Sequence, residues 1–161
     1  MRIRIEKMSP ATAASVLGGE RPQDIVVADD YPTEFSTGVA AQVGKGGLGP
    51  YVVYAPDHTV VVGEIGGGFV APATVEIGYA VVRSHWGRGI ATAAVIELVR
   101  RLRDLPQVQL VIAHTPLDRP ESGRVLSKAG FTRVGERDDE HEGMTLRVQR
   151  WERRLRDETR G

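Results

Sequence analysis

The chain has 161 residues, 41% hydrophobic and 26% charged, enough for one ordinary domain with a sizeable core and unlike a fibre or a disordered tail. Its 21 Lys and Arg balance 21 Asp and Glu, so no global field draws it to nucleic acid or to an anionic membrane. Cysteine is absent, which excludes disulfides, thiolate nucleophiles and cysteine-based zinc sites.

The opening "MRIRIEKMSPATAASVLGG" lacks the apolar run of a signal peptide, and Glu64 interrupts the longest valine-rich region; a cytoplasmic protein without a membrane span is expected. Residues 2 to 7 alternate as a strand, and Ser9 with Pro10 caps an alanine-rich helix to Leu17. Pro32 opens a second helical stretch with Phe35, Val39 and Val43, and "GKGGLGP" ends it in a loop. That loop lacks the spacing of a Walker phosphate motif. Strands at 51 to 55, 59 to 66 and 74 to 82, joined by "PDH" and "GGFVAP", predict an antiparallel meander. A surface helix follows from Gly89 to Arg103, with Ala91, Val95, Leu98 and Leu102 on one face. Residues 108 to 115 are apolar enough for a central strand. Asp118 and Glu121 stand at capping-box spacing before a short helix that Gly130 ends. Residues 131 to 134 and 144 to 151 predict a last strand pair around the acidic loop "ERDDEHEG", and residues from about 153 to 161 a frayed tail.

The stretch "RSHWGRGIATAAV" places Gly87 and Gly89 between a strand and a helix. Unpaired amides and the positive end of the helix dipole converge there, so an anion gains hydrogen bonds at little ordering cost. Three readings stand: a tight turn and no more; a dinucleotide fingerprint, which wants a third glycine where Thr92 stands; or a pyrophosphate held late in a mixed sheet.

"EIGYAVVRSHWGRGIATAAV", followed by "SGRVLSKAGF", resembles the GNAT superfamily of N-acetyltransferases, whose acyl-CoA motif is Gln/Arg-x-x-Gly-x-Gly/Ala. The tryptophan in place of Gln/Arg is similar to the branch of ribosomal-protein N-terminal acetyltransferases. The resemblance implies an α/β (α+β) fold over the whole chain, residues 1 to 161. Its mixed, mostly antiparallel sheet has about seven strands and about four flanking helices. The implied cofactor is acetyl-CoA as co-substrate, without metal, held by Val81, Val82, Trp86, Gly87, Arg88, Gly89, Ile90, Ala91 and Thr92. The pantetheine arm is expected to pair with the strand ending at Val81 and Val82 where it splays from the strand at 108 to 115. The reaction implied is acetyl transfer to a primary amine by direct attack, and a homodimer is compatible with it.

Such attack needs a neutral amine, so a base must take a proton from an ammonium of reference pKa about 10.4. Glu76 is the first candidate; strand alternation turns it away from Val75 and Ile77. It also reads as an ordinary paired strand residue. Leu126 stands where many relatives carry a proton-donating tyrosine and Arg119 where they carry asparagine. Ser122 is therefore the candidate donor to the leaving thiolate, or else a helix-end hydroxyl. The main-chain amide near Val81 is the candidate oxyanion donor. Tyr31 and Tyr79 are expected to line the acceptor pocket. Asp30, with Asp29, and the carboxylates Glu136, Asp138, Asp139, Glu140 and Glu142 are expected to attract a cationic amine, though charge runs also serve as solvated hairpin tips. The four histidines show no metal-ligand spacing. The acceptor is a protein N-terminus or a small cationic amine. A coenzyme-binding sensor with little catalysis and a nicotinamide-dependent reductase are the rival readings.

Overall fold

The computed structural model describes residues 1–141 and 143–156. The elements are β1 (Ile5–Lys7), α1 (Pro10–Leu17), α2 (Ser36–Ala40), β2 (Leu48–Tyr54), β3 (Val61–Ala71), β4 (Thr74–Val81), α3 (Ile90–Leu102), β5 (Leu110–Pro116), α4 (Pro120–Lys128), β6 (Thr132–His141) and β7 (Met144–Arg154). This is the order the sequence predicts. The strands form one seven-stranded sheet, β1-β2-β3-β4-β5-β7-β6. Neighbours pair antiparallel except β4 and β5, which run parallel.

Local chemistry accounts for the helices. Ser9 accepts from the Thr12 amide at the start of α1, with Pro10 at the first helical position. In α3 the residues Ile90, Ala94, Val95, Leu98 and Leu102 are each no more than 2% exposed, so its apolar stripe is fully spent on the core. Ala91, expected on that stripe, is only half-buried. On the outer side Glu97 binds Arg100 at 2.7 Å and Arg101 at 3.1 Å, the spacing that brings helix side chains together.

Several boundaries differ from the sequence reading. β2 begins at Leu48, inside the glycine run expected to be loop, and β3 continues through Ala71, absorbing most of the expected "GGFVAP" connection. Cross-strand partners explain the extension, since Gly67, Gly68 and Phe69 pair with Ile77, Glu76 and Val75; glycine carries no hydropathy signal by which to see it. The second helix is five residues, Ser36–Ala40. Asp118 does not cap α4: Arg119 holds the cap position without a side-chain bond, and Pro120 opens the helix. The acidic stretch is mostly strand, because Glu136, Asp138, Asp139 and Glu140 each have a β7 partner, and Arg147 approaches Glu136 at 3.5 Å and Asp138 at 3.1 Å. β7 outlasts the expected strand end at Trp151. Leu155 donates its amide to the Gln109 carbonyl, and the Arg156 guanidinium to the carbonyls of Leu105 and Val108.

One side-chain bond links β7 to β5 and another ties α4 to β4. The Trp151 indole donates to Thr115 Oγ1 at 2.9 Å inside the core, and Tyr79 Oη donates to the Ser122 carbonyl at 2.8 Å. Burial pushes the Tyr79 phenol pKa up, so it remains a neutral donor. Tyr79→Phe is expected to cost about 1 kcal/mol, the usual net worth of such a bond, read as a fall of about 2–4 °C in Tm by calorimetry.

Candidate active site

The parallel pairing of β4 with β5 covers Thr74, Val75 and Glu76 and then stops. Beyond it β4 stays paired to β3 as far as Val81, and β5 to β7 as far as Pro116. Each strand is therefore held by its outer neighbour while the two diverge. The Val82 amide bonds back to the Val62 carbonyl on β3, so strand alternation turns the amides of Tyr79 and Val81 toward the gap. At the end of this free edge the Trp86 indole N–H donates to the Val81 carbonyl at 2.6 Å. Trp86 thus keeps a polar function at the motif position expected to carry Gln or Arg.

The chain leaves β4 through a short 3-10 turn, Arg83–His85. Asp30 pins that turn, accepting from the Ser84 amide at 2.9 Å and the Ser84 hydroxyl at 2.8 Å; the amide bond leads the causes that hold its carboxyl below the usual range. Gly87 and Gly89 have φ of 74° and 78°, the left-handed region that an L side chain enters only with strain. A Cβ on Gly87 would meet nothing within 4 Å, and one on Gly89 only Met1 Cε at 3.8 Å. The glycines are thus required first by conformation, and the space beside them is open. Gly89 caps α3 without a side-chain acceptor, and the first backbone bond of the helix comes from Ala93. The amides of Ile90, Ala91 and Thr92 have no intrahelical acceptor, the arrangement that suits an anion. A cavity of about 560 Å³ opens here. Every expected cofactor residue lines it except Arg88, which is exposed.

A second cavity, about 710 Å³, lies along β3 and β4. In register, Glu64, Gly66 and Gly68 oppose Ala80, Gly78 and Glu76, and directly opposed residues share a face. That face is a glycine-floored trough: a Cβ on Gly68 or Gly78 would meet no atom within 4 Å. On its β5 side Glu76 Oε1 lies 2.5 Å from His114 Nδ1. The other ring nitrogen of His114 is buried and unpartnered. On its β3 side stands Glu64, 1% exposed. Tyr31 Oη donates to Glu64 Oε1 at 2.6 Å, and Glu64 Oε2 has no partner. Burial pushes the Glu64 carboxyl and the Tyr31 phenol upward in pKa. The two cavities meet at Phe35, Tyr79, Ala80, Arg119 and Ser122.

The structure brings Tyr79 and Ser122 to this junction and places Glu76 farther along the second cavity. Other expected acceptor residues lie elsewhere. Tyr31 lines neither cavity; it is 2% exposed and stands behind Glu64. Asp30 lines the first cavity and is committed to Ser84. Asp138, Asp139 and Glu140 line neither, because β6 is the far edge strand, separated from β4 by β7 and β5. Glu142 lies outside the described residues. Sequence reasoning missed Glu64 and His114 as site residues. A lone carboxylate in an apolar strand was the available signal for Glu64; nothing local marks His114, which depends on its pairing with Glu76.

The Acetyltransferase (GNAT) domain model matches residues 10–132. The chain belongs to the GNAT acetyltransferase family. No curated protein matches it in sequence. Among solved structures, a GNAT-family acetyltransferase from Bacillus anthracis superposes with a TM-score of 0.72 at 16% identity, covering 96% of both chains. Spermidine N-acetyltransferase from Vibrio cholerae, in complex with CoA and spermine, gives 0.69 at 12%, again covering 96% of both. RimL, a ribosomal L7/L12 alpha-N-protein acetyltransferase in complex with coenzyme A, gives 0.71 at 14%, covering 96% of this chain and 94% of that one. At such identities the likeness is one of fold. Membership makes the chain an acyl-CoA-dependent acetyltransferase, and its own residues fit the coenzyme: uncapped helix amides with open space for a diphosphate, and an unpaired strand edge for amide groups. Among the described residues no group of three or more His, Asp or Glu side chains is placed to hold a metal, and no helix is long and apolar enough to cross a membrane.

The glycine floor makes a direct prediction. Gly78→Val would project methyl groups into the trough while leaving the α3 amides untouched. The KM for amine acceptors is expected to rise at least tenfold, with acetyl-CoA affinity unchanged by calorimetric titration.

Proposed function

We propose that this chain moves the acetyl group of acetyl-CoA to a primary amine by direct attack, without a covalent enzyme intermediate. One observation carries the reading: a cavity ending on the uncapped start of α3 meets, at the β4–β5 splay, a second cavity holding a carboxylate–imidazole pair. The bound coenzyme supplies an activated acyl carbon. Ile90, Ala91 and Thr92 hold its diphosphate through their amides, and the edge of β4 aligns its arm. Glu76 is the base of the reaction, acting with His114, whose Nδ1 it holds and whose buried Nε2 is otherwise unsatisfied. The Val81 amide stabilises the oxyanion. Ser122 gives a proton to the departing sulfur; Tyr79 and Arg119 engage its main-chain groups, which leaves the hydroxyl to act.

Thiol release during incubation with acetyl-CoA and a panel of amines tests this, and acetyl-CoA binding without turnover on any amine would favour a coenzyme sensor instead. Leu126 supports that second reading, being fully buried at the position expected to carry the tyrosine, as does Arg119, which binds Glu34 at 2.9 Å. The acceptor classes in view are a small cationic amine, such as the spermine bound by one structural relative, and a protein N-terminus, as in RimL. We take the whole chain as one catalytic domain, cytoplasmic and compatible with a homodimer.

A further inference from the structure

We infer that Glu64 is the acceptor-binding residue that draws a primary ammonium on a slender alkyl chain down the glycine trough to the junction of the two cavities. The inference rests on the acetyl-transfer reading above and adds the chemistry that selects the acceptor. Glu64 lies on β3 directly opposite Ala80, and Ala80 lines both cavities. Its side chain is therefore placed beside the junction, with its main chain about four residues, ~13 Å, along the strand from that of Glu76.

A buried carboxylate without a charged partner is costly, and chains carry one only where something offsets the loss of water. Here the offset is partial. Tyr31 satisfies Oε1 from behind, Ser36 lies close enough to contribute, and Oε2 has nothing. Two cations line the same cavity, Lys45 and Arg119. Neither forms a salt bridge with Glu64, and Arg119 is occupied by Glu34 at 2.9 Å. An incoming ammonium supplies the missing charge and the missing donor at once, forming the kind of charge-assisted bond that gains most in a dry site. The floor it passes is made of Gly66, Gly68 and Gly78, with open space above Gly68 and Gly78. A linear alkylamine fits that path, whereas a branched chain would meet its walls.

The test measures binding to the full chain without coenzyme, by NMR titration with n-hexylamine and with uncharged n-hexanol. Glu64→Gln is expected to weaken n-hexylamine at least tenfold and to leave n-hexanol within a factor of about two. Tyr31→Phe is expected to weaken only the amine, by less. Affinity for acetyl-CoA stays unchanged in both, which confirms that they fold. Equal amine affinity in Glu64→Gln and the parent would overturn the inference, as would parallel loss of amine and alcohol in both variants, the mark of a merely structural carboxylate. Failure of the parent to turn over acetyl-CoA with any amine defeats the transfer reading instead, and is seen separately because these titrations contain no coenzyme.

Discussion

Gly89→Asp is expected to raise the dissociation constant for acetyl-CoA by about 100-fold or more. Two effects act together. At φ of 78° any side chain costs roughly 1–2 kcal/mol of backbone strain, which tilts the turn that presents the amides of Ile90, Ala91 and Thr92. The new carboxylate then stands beside the bound diphosphate and competes for those donors, each hydrogen bond to a charged group being worth about 1.5–3 kcal/mol. Loss of about 3 kcal/mol corresponds to a little over two powers of ten in affinity. Gly89→Ala separates the terms, since it carries the strain without the charge and should weaken binding by about tenfold. Calorimetric titration reads both values, with Tm recorded to show that α3 survives. Undiminished affinity in Gly89→Asp would remove the diphosphate from this turn.

Glu76→Gln is the second large effect, a fall in kcat of about 10²–10³, within the range that a positioned base contributes. Glutamine still offers an oxygen to His114 Nδ1, so the ring stays in place while the charge is lost. Affinity for acetyl-CoA should not change, because Glu76 lines the second cavity and not the one at the start of α3. His114→Asn should cost a similar factor. The double variant should be little worse than either single one, as expected of residues that act as a unit. Steady-state kinetics on one amine measures all three, and a double variant whose losses multiply would show two independent groups.

The distance between the expected and the observed site follows from what kind of signal each residue leaves. The glycine turn before α3 was legible because all of it is local: two glycines, a following helix and a preceding strand lie within a dozen residues of sequence. The face of β4 on which Glu76 stands was legible for the same reason, by alternation along one strand. Tyr31, Asp30 and the β6 carboxylates were assigned from residue type, charge and the family resemblance, and the contacts that place them are long-range. Tyr31 reaches Glu64 across 33 positions and Asp30 reaches Ser84 across 54, while β6 is carried to the far edge by β7.

By itself the sequence determined the order of elements, the apolar strand β5 in the sheet interior, and the glycine turn that precedes α3. Each of these depends on periodicity, on glycine stereochemistry or on a helix beginning where a strand ends. Only the tertiary structure decided which charged groups share the second cavity. The pairing of β3, β4 and β5 brings Glu64, Glu76 and His114 to one glycine-floored face. Register assigns a side chain to one face or the other, and it is set by hydrogen bonds to neighbouring strands that no local pattern records.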